Sequence, residues 1–85
     1  MARDVDTPLS PVRPIHAGLA DQYGLTAAQA RVAALIMEGL ATKSIAYELQ
    51  ISVHTVRRHT EQIFRKCGVR SRLELTARLW RQMAA

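Results

Sequence analysis

Apolar residues recur at helical spacing in several stretches after residue 24, and the first stretch predicts a helix that begins at Thr26. Thr26 and Gln29 fit a capping box, in which each side chain satisfies a backbone N–H group of the other residue. The apolar stripe that follows consists of Val32, Leu35, Ile36 and Leu40. Gly39 is the expected C-terminal stop, because glycine readily adopts the left-handed conformation in which many helices end.

A short second helix and a longer third helix are predicted next, with a tight connection between them. The second runs from residue 42 or 43 to residue 49 or 50, and its buried residues are Ile45, Ala46 and Leu49. Gln50 and Ile51 form the connection, and Ser52 is placed to cap the third helix, residues 53 to about 67. The apolar stripe of this third helix consists of Val56, Thr60, Ile63, Phe64 and Cys67. Its opposite face is therefore left to cationic residues.

A fourth helix is predicted to follow Gly68 and to end near residue 83, with Ser71 and Glu74 as a second capping box. One of its faces carries Leu73, Ala77 and Trp80, and another carries Leu75 and Leu79. Two apolar faces are more than one small core needs. We expect Leu73 and Trp80 to close the core and predict Leu75 and Leu79 as dimer contacts, although closure of the same core remains the alternative for that pair.

Residues 1–23 hold all three prolines and show no periodicity beyond a candidate turn around residues 16–22. They are predicted to form a flexible N-terminal arm, leader or linker ahead of a single domain at residues 24–85. The chain is 85 residues long, and it is 48% hydrophobic but only 5% aromatic. Small aliphatic side chains suit closely packed helices, so the expected fold class is all-α.

The charge is distributed unevenly along the chain. Residues 1–42 hold three Arg against four acidic residues, a net charge of −1, whereas residues 43–85 hold nine Lys or Arg against three Glu, a net charge of +6. A basic half that coincides with the second and third helices favours a polyanionic partner such as DNA. A solvated basic surface that only keeps the protein soluble is the alternative.

Cysteine content and hydropathy indicate the cellular compartment in which the protein is expected. Cys67 is the only cysteine, so an internal disulfide is impossible, and no stretch approaches the length of a membrane span. We expect a soluble cytoplasmic protein. His54, His59 and Cys67 do not share one helical turn as metal ligands, and no set of catalytic residues is evident, so no metal, cofactor or enzymatic activity is expected.

The exposed face of the third helix carries residue types that can recognise DNA bases. Arginine donates two hydrogen bonds to guanine O6 and N7, and glutamate accepts one from cytosine N4. The predicted base contacts are His54, Arg57, Arg58 and Glu61. The predicted phosphate contacts are Lys43, Ser52, Thr55, His59, Arg65, Lys66 and Arg70. Two alternatives remain, namely an ordinary solvated face with ion pairs from Glu61 to Arg57 and Arg65, and a local backbone role for Thr55.

Several motifs at fixed offsets together resemble the LuxR-type (GerE/NarL-like) helix-turn-helix domain. They begin at Leu25, Gly39, Leu49, Thr55, Lys66 and Ser71, and the resemblance extends to about Leu79. It implies a four-helix domain, a third helix in the major groove, and a last helix through which two copies often pair on a dyad-related site. It also implies a bacterial transcription regulator, which we expect in the nucleoid.

Carried over by position, the resemblance implies a phosphate contact for Lys43, backbone-side contacts for Thr55 and His59, and base contacts for Arg57, Arg58 and Glu61. Ala28 and Gln29 stand where Arg and Glu are commoner, Ser44 where Glu is common, and Cys67 where Leu or Met is common. The first two departures argue against a polar link between the first and third helices. Members of the family usually carry a sensing domain ahead of this module. The chain is therefore expected to be either an excised C-terminal domain or a stand-alone regulator, and Met1 slightly favours the latter.

The resulting hypothesis is a sequence-specific regulator of transcription that binds double-stranded DNA, as a homodimer on two half-sites about one helical turn apart. RNA polymerase is a further candidate partner. A promoter-recognition domain of a sigma factor and a protein-interaction module that docks an acidic partner are the alternatives.

Overall fold

The computed structural model describes Ile15 and residues 17–84, and the regular structure in these residues consists of five α-helices. They are α1 (Ala17–Tyr23), α2 (Ala27–Met37), α3 (Thr42–Leu49), α4 (Val53–Cys67) and α5 (Arg72–Ala84). The described residues contain no strand, and the predicted all-α class is confirmed. Helices α2 to α5 correspond to the four predicted helices. None of the five is long and apolar enough to cross a membrane.

Helix α1 was not predicted, because it lies within the stretch interpreted as a flexible arm. Ile15 and Leu19 are buried, α1 packs on α5, and the Ile15 backbone N–H donates to the Ala30 carbonyl oxygen at 3.3 Å. Residues 17–23 therefore form a helix that packs on the domain predicted at residues 24–85. A helix of seven residues has too few apolar positions to reveal its period. The rest of the predicted arm, residues 1–14 and His16, lies outside the described residues.

Both ends of α2 follow the local signals in the sequence. The Gln29 backbone N–H donates to Thr26 Oγ1 at 3.1 Å, and the Thr26 backbone N–H donates to Gln29 Oε1 at 3.0 Å, which confirms the capping box. At the other end Gly39 has φ +88°, and the Leu40 N–H donates to the Leu35 carbonyl oxygen at 3.1 Å. This is the hydrogen bond that closes a helix at a left-handed glycine.

The predicted tight connection between α3 and α4 is confirmed. Gln50 is left-handed with φ 57°, and the Ile51 N–H donates back to the Ala46 carbonyl oxygen at 3.0 Å. Ser52 then caps α4, because its Oγ accepts from the Thr55 backbone N–H at 3.0 Å. Helix α4 packs against both α2 and α3, so it has a fixed support along its apolar side.

The apolar side of α4 is buried as predicted. Val56 and Ile63 are inaccessible to solvent, and Cys67 is 2% exposed. Burial raises the pKa of the Cys67 thiol, although nearby Arg78 and Lys66 act in the opposite direction. Cys67 therefore fills the core as a small, protonated side chain.

The predicted faces of α5 are reversed. Leu75 and Leu79, predicted as dimer contacts, are wholly buried, whereas Leu73 and Trp80, predicted to close the core, are 79% and 61% exposed. Leu75 and Leu79 are thus in no position to contact a second copy. The alternative that these two residues close the intramolecular core is the correct one.

Two arginines on either side of this pair hold α5 in the orientation that buries it. Arg72 donates from Nη1 to the Leu40 carbonyl oxygen at 2.6 Å and from Nη2 to Thr42 Oγ1 at 3.1 Å. Arg78 donates from Nη1 to the Cys67 carbonyl oxygen at 2.8 Å. These bonds hold the two sides of α5 against the α2–α3 turn and the end of α4. The face between them is directed into the core.

The second predicted capping box is only half formed. The Glu74 backbone N–H donates to Ser71 Oγ at 3.1 Å, as expected of a cap. The Glu74 carboxylate, however, accepts from the Arg70 backbone N–H at 2.7 Å and not from that of Ser71. The glutamate thus satisfies the donor one residue earlier than the sequence motif predicts.

Candidate nucleic-acid interface

The solvent side of α4 carries a row of charged and polar side chains. All of them are exposed, and we call this set the groove face: His54, Arg57, Arg58, Glu61 and Arg65. The row lies opposite Val56, Ile63 and Cys67, because positions that differ by three, four or seven residues share one side of a helix. The structure thus brings together the four predicted base contacts and one predicted phosphate contact.

The groove face makes no polar contacts of its own within the described residues. None of its side chains forms a hydrogen bond or ion pair there, so the alternative in which Glu61 pairs with Arg57 and Arg65 has no support. Three guanidinium groups and one carboxylate are consequently held on a rigid helix with their hydrogen-bonding capacity unused. Such a set can bind the edges of bases or phosphate oxygens without first breaking an internal bond.

The beginning of α4 uses its own hydroxyl groups. Ser52 Oγ accepts from the Thr55 backbone and also donates to Thr55 Oγ1 at 2.9 Å. Thr55 is therefore part of the cap, and its hydroxyl can still donate to another acceptor. The phosphate contacts of Ser52 and Thr55 stay predictions.

Lys43 is exposed in the first turn of α3, where backbone N–H groups remain without partners inside the helix. The hydrogen bonds of Arg72 to Leu40 and Thr42 join this turn to α5. A lysine at a helix N-terminus combines its own charge with the positive end of the helix dipole. Lys43 is thus well placed for an anionic ligand.

Lys66 differs from the other predicted phosphate contacts, because its ammonium group is engaged within the domain. Lys66 Nζ donates to the Gly24 carbonyl oxygen at 2.9 Å and to Gln29 Oε1 at 2.8 Å. Gln29 is 2% exposed and donates from Nε2 to Gln62 Oε1 at 2.6 Å. The structure therefore contains a polar link between α2 and α4, against the expectation from the sequence.

A signal for this link was present in the sequence. Gln29 falls on the apolar side of α2, three residues before Val32 and four before Ala33, both of which are fully buried. A glutamine at such a position needs polar partners, since an unsatisfied buried amide is costly. The identity of the partners could not be derived, because Gln62 and Lys66 are 33 and 37 residues away.

The remaining predicted residues are spread around this helix. His59 is half-buried on the flank of α4, and Arg70 is exposed just after its end. Among the described residues, no three His, Cys, Asp or Glu side chains come together as a metal site requires.

The comparison with protein families matches residues 24–79 to the GerE model, described as bacterial regulatory proteins of the luxR family. A curated relative, the monoamine regulon transcriptional regulator of Klebsiella aerogenes, is 41% identical over 56 residues, which are 66% of this chain and 25% of the relative. The chain thus spans about a quarter of the length of that relative. No solved structure matches the chain significantly. Because the matched region includes all of α2 to α4 and most of α5, the chain belongs to the luxR family of bacterial regulatory proteins.

Proposed function

We propose that this chain regulates transcription by binding double-stranded DNA in a sequence-specific manner, with α4 in the major groove. The observation that supports this most is the groove face, whose charged side chains are exposed and have no partners within the described residues. Family membership and the name of the relative, a transcriptional regulator, agree with this role.

The chemistry of the groove face indicates which bases it can recognise. Arg57 and Arg58 lie near the N-terminal end of α4, the part of a recognition helix that reaches base edges. Each can donate two hydrogen bonds to guanine, and Glu61, one turn later, can accept from cytosine N4. A target rich in G·C pairs at the centre of each half-site is therefore expected.

Selection of bound sequences from a random duplex pool tests this proposal. We expect the selected duplex to be bound on the order of 10³ times more tightly than a scrambled duplex at physiological salt. Equal Kd values for the two duplexes would contradict sequence-specific binding and favour a basic module for an acidic protein partner. Binding to core RNA polymerase with promoter-directed initiation would instead favour the sigma-factor alternative.

Lys43 is proposed to contact a phosphate, and its replacement has a specific signature. In Lys43→Met we expect similar weakening on every duplex, and the slope of log K against log salt should decrease in magnitude by about 0.9, the value for one lost phosphate contact. Titrations of the selected duplex between 50 and 200 mM salt, about the range in which this slope is usually measured, provide the test.

Arg81→Met is the matched control for Lys43→Met, because it removes the same charge from an exposed position in the last turn of α5. Its salt slope should equal that of the wild type. An unchanged slope in Lys43→Met, or an equal decrease in both variants, would exclude the proposed contact.

We also propose that two copies pair through the exposed apolar stripe of α5, in place of the buried Leu75 and Leu79. The stripe consists of Leu73, Ala77, Trp80 and Met83. Leu73 and Trp80 flank the small Ala77, so two helices related by a two-fold axis could approach closely at that residue. Exposed tryptophan of this kind is typical of an interface centre.

Trp80→Ala is expected to weaken pairing at least about 30-fold, because an interface hot-spot tryptophan commonly contributes about 2 kcal/mol or more. Sedimentation on a duplex with two half-sites should show two copies of the wild type but one copy of the variant at the same concentration. Gln82→Ala, an exposed polar residue of the same helix, is the control and should behave as the wild type. A wild type that binds such a duplex only as a monomer would refute the dimer.

A further inference from the structure

Gln29, Gln62 and Lys66 form a polar cluster, here called the Gln29 clamp, that joins the start of α2 to the second half of α4. Gln29 is the one buried polar residue among the described residues, at 2% exposure. Its side-chain oxygen accepts from the Thr26 N–H at 3.0 Å and from Lys66 Nζ at 2.8 Å, and its amide nitrogen donates to Gln62 Oε1 at 2.6 Å. None of its three residues belongs to the groove face.

The orientation of the Gln29 amide follows from its partners. The backbone N–H of Thr26 and the ammonium of Lys66 can only donate, so the amide oxygen must face both of them. Its two lone pairs are then used, and the NH₂ group necessarily faces the oxygen of Gln62. One buried amide thus specifies three partners, on the cap of α2 and on two successive turns of α4.

The geometry of these contacts restricts rotation of α4 about its own axis. Gln62 and Lys66 are one turn apart, and each directly follows a residue of the groove face, Glu61 and Arg65 respectively. With side chains reaching about 5–6 Å from the helix axis, a rotation of about 20° would displace their ends by about 2 Å. That exceeds the roughly 0.5 Å within which a functional constellation must be held.

We propose that Gln29 is a positioning residue for base recognition, which fixes the rotation of α4 through Gln62 and Lys66. This inference rests on the proposed function. It assigns Lys66 to the clamp and not to a phosphate, because two of its three donors already have acceptors inside the domain. Base contacts depend on rotation much more than phosphate contacts do, so the clamp should affect specificity more than general affinity.

Gln29→Met tests the proposal, since methionine has a similar length but none of the three side-chain hydrogen bonds. For variants that are fully folded by circular dichroism, we expect the preference for the selected duplex over a scrambled one to fall roughly tenfold, the effect of about one lost base contact. Binding to the scrambled duplex should change less than about twofold. The separate variant Gln29→Glu should keep the preference for the selected duplex, because its carboxylate can accept from Thr26, Lys66 and a reoriented Gln62 amide.

Thr26→Ala is the control for stability alone. It removes the hydroxyl that caps α2 but leaves the side-chain bonds of Gln29 intact. This variant should be less stable than the wild type and yet keep its full preference for the selected duplex. If Gln29→Met does not fold, Gln62→Met replaces it, since that variant removes one clamp bond while the cap of α2 remains.

Lys66→Met separates the clamp from a phosphate contact. We expect this variant to lose preference for the selected duplex while its salt slope stays unchanged. A decrease in slope equal to that of Lys43→Met would instead show that Lys66 contacts a DNA phosphate. A wild type that lacks sequence preference would overturn the proposed function. A wild type with preference and a folded Gln29→Met variant with the same preference would overturn the clamp alone.

Discussion

Leu79→Ala is expected to lower the free energy of unfolding by about 2–5 kcal/mol, the range observed when a buried leucine is truncated to alanine. Leu79 is wholly buried, so its replacement removes apolar contacts and leaves a cavity between α5 and the helices beneath it. Small domains have a total stability of about 5–15 kcal/mol, so a large share would be lost. Urea unfolding followed by helical circular dichroism, at a low micromolar concentration, measures the change.

Leu73→Ala is the matched control, because it makes the same chemical change on the same helix at a position that is 79% exposed. Its effect should stay within about 0.5 kcal/mol, as for most surface substitutions. The two variants together distinguish the core face of α5 from its exposed face. Equal effects, or a Leu79→Ala variant that loses pairing without losing stability, would show that the assignment of these faces is wrong.

Arg58→Ala is expected to reduce discrimination at a single base pair of the target by about 1–3 kcal/mol, and Arg57→Ala should do the same at a different base pair. Both side chains are exposed on the groove face and have no polar partner among the described residues, so stability should hardly change. Competition binding with every single-base variant of the selected duplex gives the discrimination at each position.

Arg58→Lys provides the sharper comparison for this prediction. Lysine keeps the positive charge but lacks the planar fork with which arginine binds guanine at two atoms. We expect Arg58→Lys to retain the salt slope and to lose part of the discrimination. Discrimination that is lost equally at all positions in either variant would point to a phosphate contact.

The helices α2 to α4 could be predicted because their signals are local. The Thr26 and Ser52 caps, the left-handed Gly39 and the apolar stripe of α4 all act within a few residues of the chain. The exposure of the groove face follows from the same periodicity, since burial of Val56 and Ile63 leaves the opposite side to solvent. Local physics was sufficient for these elements.

The parts that could not be predicted depend on distant contacts. Helix α5 has two apolar faces, and the buried one is flanked by Arg72 and Arg78, which bond to the turn before α3 and to the end of α4. Periodicity alone does not distinguish two apolar faces of similar strength. Lys66 illustrates the same limit, because nothing near it in the sequence indicates that its ammonium group donates to Gly24 and Gln29.

Methylation protection of guanine N7 on the selected duplex is the most direct measurement of whether α4 enters the major groove. N7 is exposed only in that groove and is an acceptor for arginine. We expect the wild type to protect guanines in each half-site, with one protection lost in Arg57→Ala and a different one lost in Arg58→Ala. Protection confined to adenine N3 in the minor groove would contradict the placement of α4 in the major groove. Guanine protection that is identical in both variants and the wild type would contradict the base contacts of Arg57 and Arg58.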